Sequence, residues 1–310
     1  ALELALLWVG LEASARVLGY EPRIHERLVA LVALFGFQPA LRDFKWAQIS
    51  TLLAALLCFA FYTAELGEDE RSRWHDYASG ALTTLASAFK LFFATSGAHL
   101  LRDRRRLLGA LTTAGVLLVA SVAIFGLDVH RTYLDVLMWG KGWGDTRPPA
   151  FWDVTAAYRP FAALGSLNLP VKIVGVLGVI ALSLAARGDD ATTARRGTFA
   201  LGVAAVPLLA PQADSHDLVI LLLPALVLLA IEFDQPDGYP VLPVLAVLLV
   251  HLHRYVLEVI VAPPAWVPLG SLLQTNAALL QPGVWGTLLL GGLAAYRVSE
   301  HATLLQRERS

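Results

Sequence analysis

Charge is what this sequence has least of. Of its 310 residues only 16% are charged, against about 25% in a soluble domain. Cysteine is almost absent too. The single Cys58 excludes an intrachain disulfide and leaves the redox compartment unread. There is no CxxC pair and no HExxH, so no zinc site is expected. There is no GxGxxG and no P-loop, so no nucleotide pocket and no cofactor are expected. A net charge of −1 with no large basic patch gives no footprint for nucleic acid.

What remains is apolar. Hydrophobic residues make up 56% of the chain and the mean hydropathy is +0.60. The apolar residues fall in blocks about as long as a bilayer core is thick, roughly 20 residues for a helix. The expectation is an all-α, polytopic transmembrane helix bundle of roughly 8–10 membrane helices, short or re-entrant ones included. It reads as one integral membrane domain over residues 1–310, multi-pass in a cell membrane.

Residues 1–19 form a helix with a polar stripe of Glu3, Glu12 and Arg16. Residues 28–37 are too short to cross alone. Further spans are expected at 49–62, 107–127, 165–186, 198–210, 218–231, 241–261 and 283–296. Residues 77–101 contain Lys90 and are either one span or a re-entrant hairpin. Residues 128–164 read as a long hydrophilic loop, a length that is usually functional. Residues 297–310 read as a polar tail. Arginine clusters at 102–106, 187–197 and the tail fall on one side of this scheme. Excess Lys and Arg mark the cytoplasmic side, so the 128–164 loop and residues 212–217 are expected to be extracytoplasmic.

A polar knot, Gln212 to Asp217, sits between two uncharged runs. Charged groups at the edge of a hydrocarbon layer are costly without partners and point to a functional site. Asp214, His216 and Asp217 are therefore candidates; the plain alternative is a hydrophilic turn between helices. Lys90 is either a snorkelling lysine or a cation that meets an anionic lipid head group. Arg254 either pairs with Glu258 at i, i+4 or holds a phosphate with its fork of donors. Gln48 heads a span, where it caps the helix or bonds a sugar hydroxyl. Tyr158 and Arg159 are weaker candidates from the long loop.

The order of these features resembles the polyprenol-phosphate-mannose-dependent mannosyltransferases, glycosyltransferase family 87 of the GT-C superfamily. The resemblance rests on Leu7-Trp8 opening a helix and on Pro39 followed by Ala47-Gln48. It rests also on Ser79-Gly80 to Phe89-Lys90-Leu91, the basic turn Arg102 to Arg106, and Pro211 to Asp217 followed by Leu223-Pro224. Departures are Ala47 for a glycine, Asp214 for a tryptophan and Asp217 for a second histidine. The resemblance implies a hexosyltransferase that moves a sugar, mannose by analogy, from a polyprenyl-phosphate donor to a glycan or glycolipid acceptor, with inversion. It implies a catalytic Asp in the first extracytoplasmic loop, upstream of Ala1. The chain then reads as a fragment of a larger bundle. His216, Lys90, Arg254, Gln48, Tyr158 and Arg159 would bind substrate or phosphate, with Asp214 and Asp217 in support. A lipid-linked solute transporter or flippase is the rival reading, and a non-catalytic degenerate homologue the third.

Overall fold

The computed structural model describes residues 2–70, 73–139, 157–158, 160–187, 191–210, 213–261 and 280–308. Among them the α-helices are α1 (Leu2–Val17), α2 (Ile24–Gly36), α3 (Gln38–Lys45), α4 (Ser50–Glu70), α5 (Arg73–Phe89) and α6 (Arg104–Phe125). They continue as α7 (Leu127–Trp139), α8 (Asn168–Ala185), α9 (Thr192–Leu209), α10 (Leu222–Asp234), α11 (Val241–Val261) and α12 (Pro282–Glu308). Tighter 3-10 turns occupy Leu91–Leu101, Ala162–Leu167 and Ser215–Leu221. One short antiparallel bridge pairs β1 (Ala157–Tyr158) with β2 (Ala213–Asp214).

Among the described residues four stretches are long and apolar enough to cross a membrane: Arg104–Phe125, Asn168–Ala185, Ser215–Asp234 and Val241–Ile260. The α2–α3 pair, bent by 54°, makes a fifth when taken as one broken span. The chain is a multi-pass membrane protein. The other helices are shorter or carry ionisable groups inward, which is tolerated in a bundle only where partners exist. The centre is α9. From Gly197 to Leu208 its residues are buried on every side, with α10, α12 and the 91–101 stretch around it. Pro207 lies within it and removes one backbone donor near its C-terminal end. By contrast α6 packs mainly on α5 and leaves Leu111, Val116, Val119 and Ile124 exposed, a surface suited to lipid.

The α5–α6 contact explains two glycines. A Cβ on Gly80 would lie 1.9 Å from the Arg106 carbonyl oxygen, and one on Gly109 would lie 2.3 Å from that of Tyr77. Without a hydrophobic drive between helices in lipid, such close backbone approach is what holds a pair together.

One open choice is resolved and two expectations need correction. Residues 77–101 are not one span: α5 stops at Phe89, Lys90 is extended (φ −139°, ψ 101°), and a 3-10 stretch follows. The break falls at the one cation in the run. The loop expected to begin at 128 instead begins with α7. Its polar residues Asp128, Arg131, Thr132 and Asp135 recur at helical spacing, a pattern hidden by the aromatic and glycine-rich sequence that follows. The expected tail continues α12, because Arg297 is buried against Glu232 with nitrogen–oxygen distances of 2.8 and 2.7 Å.

The helices share two ends. α4 runs from Ser50 to Glu65 and beyond, and α5 runs back from Asp76 toward Lys90. Each path covers about 20 Å at roughly 1.5 Å per residue. Ser50 and Lys90 therefore mark one end, and Glu65 and Asp76 the other. At the second end buried carboxylates meet arginines: Glu65 with Arg195 (3.1 Å) and Arg196 (2.7 Å), and Asp76 with Arg106 (2.9 Å).

Candidate functional site

The first end of the bundle is built outward from Asp43. This residue, fully buried on α3, turns its carboxylate to the start of α4. Oδ1 accepts the Ser50 N–H (3.1 Å) and Oδ2 accepts the Thr51 N–H (2.8 Å). A helix N-terminus has backbone donors with no intrahelical partner, and a carboxylate satisfies them well. The chain between is folded tightly, with Ala47 at φ 49°. The consequence is a fixed Ser50.

Ser50 Oγ donates to Asp217 Oδ1 (2.7 Å) and accepts from Lys90 Nζ (2.9 Å). Lys90 Nζ also lies 2.5 Å from Asp217 Oδ1. Three residues far apart in sequence thus close a triangle, from the head of α4, the break after α5 and the 215–221 stretch. Asp217 Oδ2 accepts the Asp214 N–H at 3.0 Å, while the Asp214 side chain caps the same short turn. His216 Nε2 lies 3.6 Å from Asp217 Oδ1, within ion-pair reach and too long for a hydrogen bond. The side chain of Asp217 is 4% exposed and that of Lys90 17%, so the cation is the more accessible partner.

The knot is therefore not a plain surface turn. Ser215, His216 and Asp217 are buried, and the span continues directly through α10. The bridge sets Tyr158 opposite Ala213 and Ala157 opposite Asp214. Tyr158 is 1% exposed and meets His253 edge-to-face at 5.6 Å. His253 in turn accepts the Gly283 N–H at 3.2 Å. The end of the long loop and the polar knot are thus joined at the same end of the bundle.

Other candidates fare differently. Arg254 pairs with Glu258 and belongs to that pair, the outcome its spacing allowed. The Gln48 side chain donates to the nearby Trp46 carbonyl (3.4 Å) and its N–H to the Asp43 carbonyl (3.0 Å), and no bond from it to Ser50, Lys90 or Asp217 is seen among the described residues. Arg159 and Gln212 lie outside the described residues. His251 accepts the Gln38 N–H at 3.3 Å and stacks near Phe37.

Sequence reasoning missed Asp43, Ser50 and Lys172. The first two had a legible signal, an acid followed by serine at the head of an apolar run, the ordinary mark of a helix start. Attention went to Gln48 instead. Lys172 is buried at the first turns of α8 and donates to the Ala210 carbonyl, at the C-terminal end of α9. Nothing in the sequence paired it with Ala210.

Asp43 and Asp217 both have their two oxygens engaged, so neither presents a free carboxylate. The arrangement orients a lysine, with a histidine beside it, at one end of the bundle. A helical membrane bundle with its polar chemistry gathered at one end is the class that fold and site define. Glycosyltransferase family 87 matches residues 1–211, which include Asp43, Ser50 and Lys90 and stop just short of β2. The chain belongs to that family, and it is a membrane glycosyltransferase. That membership favours the transferase over the transporter reading. No curated protein and no solved structure matches the chain.

Proposed function

We propose that this protein transfers a sugar, mannose by resemblance, from a polyprenyl-phosphate donor to the hydroxyl of a glycan or glycolipid, with inversion. The observation that carries the proposal is the Ser50–Lys90–Asp217 triangle with His216 beside it. A lysine held by an aspartate and a serine at the edge of an apolar bundle is placed for a phosphate that arrives on a lipid.

The acceptor oxygen forms a bond to the anomeric carbon as the bond from that carbon to the phosphate oxygen breaks. The pair of electrons leaves with polyprenyl phosphate, which needs no proton. Lys90 and His216 stabilise the charge that develops on that phosphate. Asp217 positions Lys90. The acceptor's proton goes to a carboxylate base, which we assign to neither Asp43 nor Asp217 because their oxygens are filled. Asp214 supports the turn that carries His216. Tyr158 lies where the long loop would cover the sugar.

The arginine-rich connectors lie at the opposite end of the bundle from the triangle, which supports an extracytoplasmic site in a cell membrane. Family membership and the shared polar end support a single membrane domain over the whole chain.

The test is radiolabelled sugar transfer by proteoliposomes, with polyprenyl-phosphate mannose and nucleotide-activated mannose offered separately. Transfer from the lipid donor alone, with an inverted anomeric centre in the product, supports the proposal. Transfer from the nucleotide donor alone sinks it. Binding of the lipid donor without turnover would mark a degenerate homologue.

A further inference from the structure

Burying a charge without a partner costs several kcal/mol, so each buried cation here should have an anion. Among the described residues the buried cations are Arg42, Arg106, Lys172 and Arg297. Arg106 bonds Asp76 and Arg297 bonds Glu232. Lys172 bonds the carbonyl at the end of α9. Arg42 has no carboxylate within ion-pair distance among the described residues. Its guanidinium lies 5.6 Å from the ring centre of Trp46, and its Nε has no hydrogen-bond partner. Yet the residue is only 9% exposed. The carboxylate next to it in sequence, Asp43, is already filled by Ser50 and Thr51 N–H.

The surroundings repeat the pattern. Gln38 lies one turn before Arg42 on the same face of α3. It is 5% exposed, and its Oε1 has no partner. Thr51, whose backbone is tied to Asp43, is buried with an unbonded Oγ1. Ser215, on the stretch against which α3 packs, is buried with an unbonded Oγ. Buried polar atoms are nearly always paired with protein, water or ligand. The Arg42 Nε–H and the hydroxyls of Thr51 and Ser215 are donors left open on adjoining elements, and together they suit a group that accepts hydrogen bonds and carries negative charge.

We propose that Arg42 holds a phosphoryl group, with the Thr51 and Ser215 hydroxyls completing its shell. This adds an unoffset charge to the phosphate grip of Lys90, whose own charge Asp217 already offsets. It rests on the lipid-phosphate reading above in taking the phosphate to be the one on the polyprenyl chain. The planar fork of Arg42 suits a bidentate grip on phosphate oxygens.

The test is calorimetric titration of the purified full chain in detergent with three probes: geranylgeranyl phosphate, geranylgeraniol and inorganic phosphate. Wild type is expected to bind geranylgeranyl phosphate and not the alcohol. Arg42→Gln should weaken that binding about ten-fold or more, with Arg42→Lys intermediate. Without any phosphate, Arg42→Met should melt no lower than wild type, because it removes an unpaired buried charge. A clear drop in its melting temperature would show that Arg42 serves packing on Trp46 and would overturn the subsite. Geranylgeranyl phosphate binding unchanged in Arg42→Gln overturns the subsite and leaves the lipid-donor reading standing. Binding of inorganic phosphate alone, lost in Arg42→Gln, supports the subsite and counts against the lipid donor. Failure of wild type to bind either phosphate overturns the subsite.

Discussion

Lys90 and Asp217 are 127 residues apart in sequence and 2.5 Å apart in space. Removing one partner of a buried pair strands the other's charge, at about 3 kcal/mol or more. Lys90→Met and Asp217→Asn should therefore each lower stability strongly. The double variant should cost less than the sum of the two. A thermal double-mutant cycle on the detergent-solubilised protein measures this, and strictly additive losses would show that the two residues do not act as a pair.

Arg297 and Glu232 form the matching case at the other end, with side chains 1% and 0% exposed. Here no role in sugar transfer is assigned. Arg297→Met should cost about 3–5 kcal/mol, as for any uncompensated buried carboxylate. The protein that still folds should keep its donor affinity. A shifted affinity in the folded fraction would mean that this end too belongs to the site.

The α5–α6 contact predicts a steric result. Gly80→Val would force a side chain into the Arg106 carbonyl oxygen, and Gly109→Val into that of Tyr77. Both are expected to separate the helices and to abolish a single sharp melting transition. Gly115→Val, on the open face of α6 where nothing lies within 4 Å, should be nearly silent. A melting curve for each variant distinguishes them, and a benign Gly80→Val would refute the close packing.

Ala47 offers a gain. Its φ of 49° is left-handed, a region that costs an L-residue roughly 1–2 kcal/mol. Ala47→Gly should stabilise the protein by about 1 kcal/mol after the entropy of glycine in the unfolded chain is set against it. A lower melting temperature would contradict this.

The four spans near 107–127, 165–186, 218–231 and 241–261 were readable because hydrophobic block length is a property of local sequence. The polar knot was readable for the same reason, and Lys90 because it interrupts an apolar run. What joined them was not readable. Ser50 is one serine among many, and only the fold brings its hydroxyl to Asp217. Asp43 shows in the sequence only as part of a helix-start signal, and its bonds to the Ser50 and Thr51 N–H groups appear only once the chain turns back at Ala47. The i, i+4 spacing of Arg254 and Glu258 carried the local ion pair that the structure contains. α7 was misread because the aromatic, glycine-rich sequence after it set the impression for the whole loop.

The most direct measurement compares sugar transfer from polyprenyl-phosphate mannose by wild type and by Lys90→Met, in proteoliposomes with equal amounts of folded protein. The triangle with Ser50 and Asp217 predicts a loss of about a hundred-fold or more when the cation facing the departing phosphate is removed, in line with losing one charge-stabilising donor. Undiminished turnover in Lys90→Met would contradict the assignment of this end of the bundle as the place where the sugar changes hands.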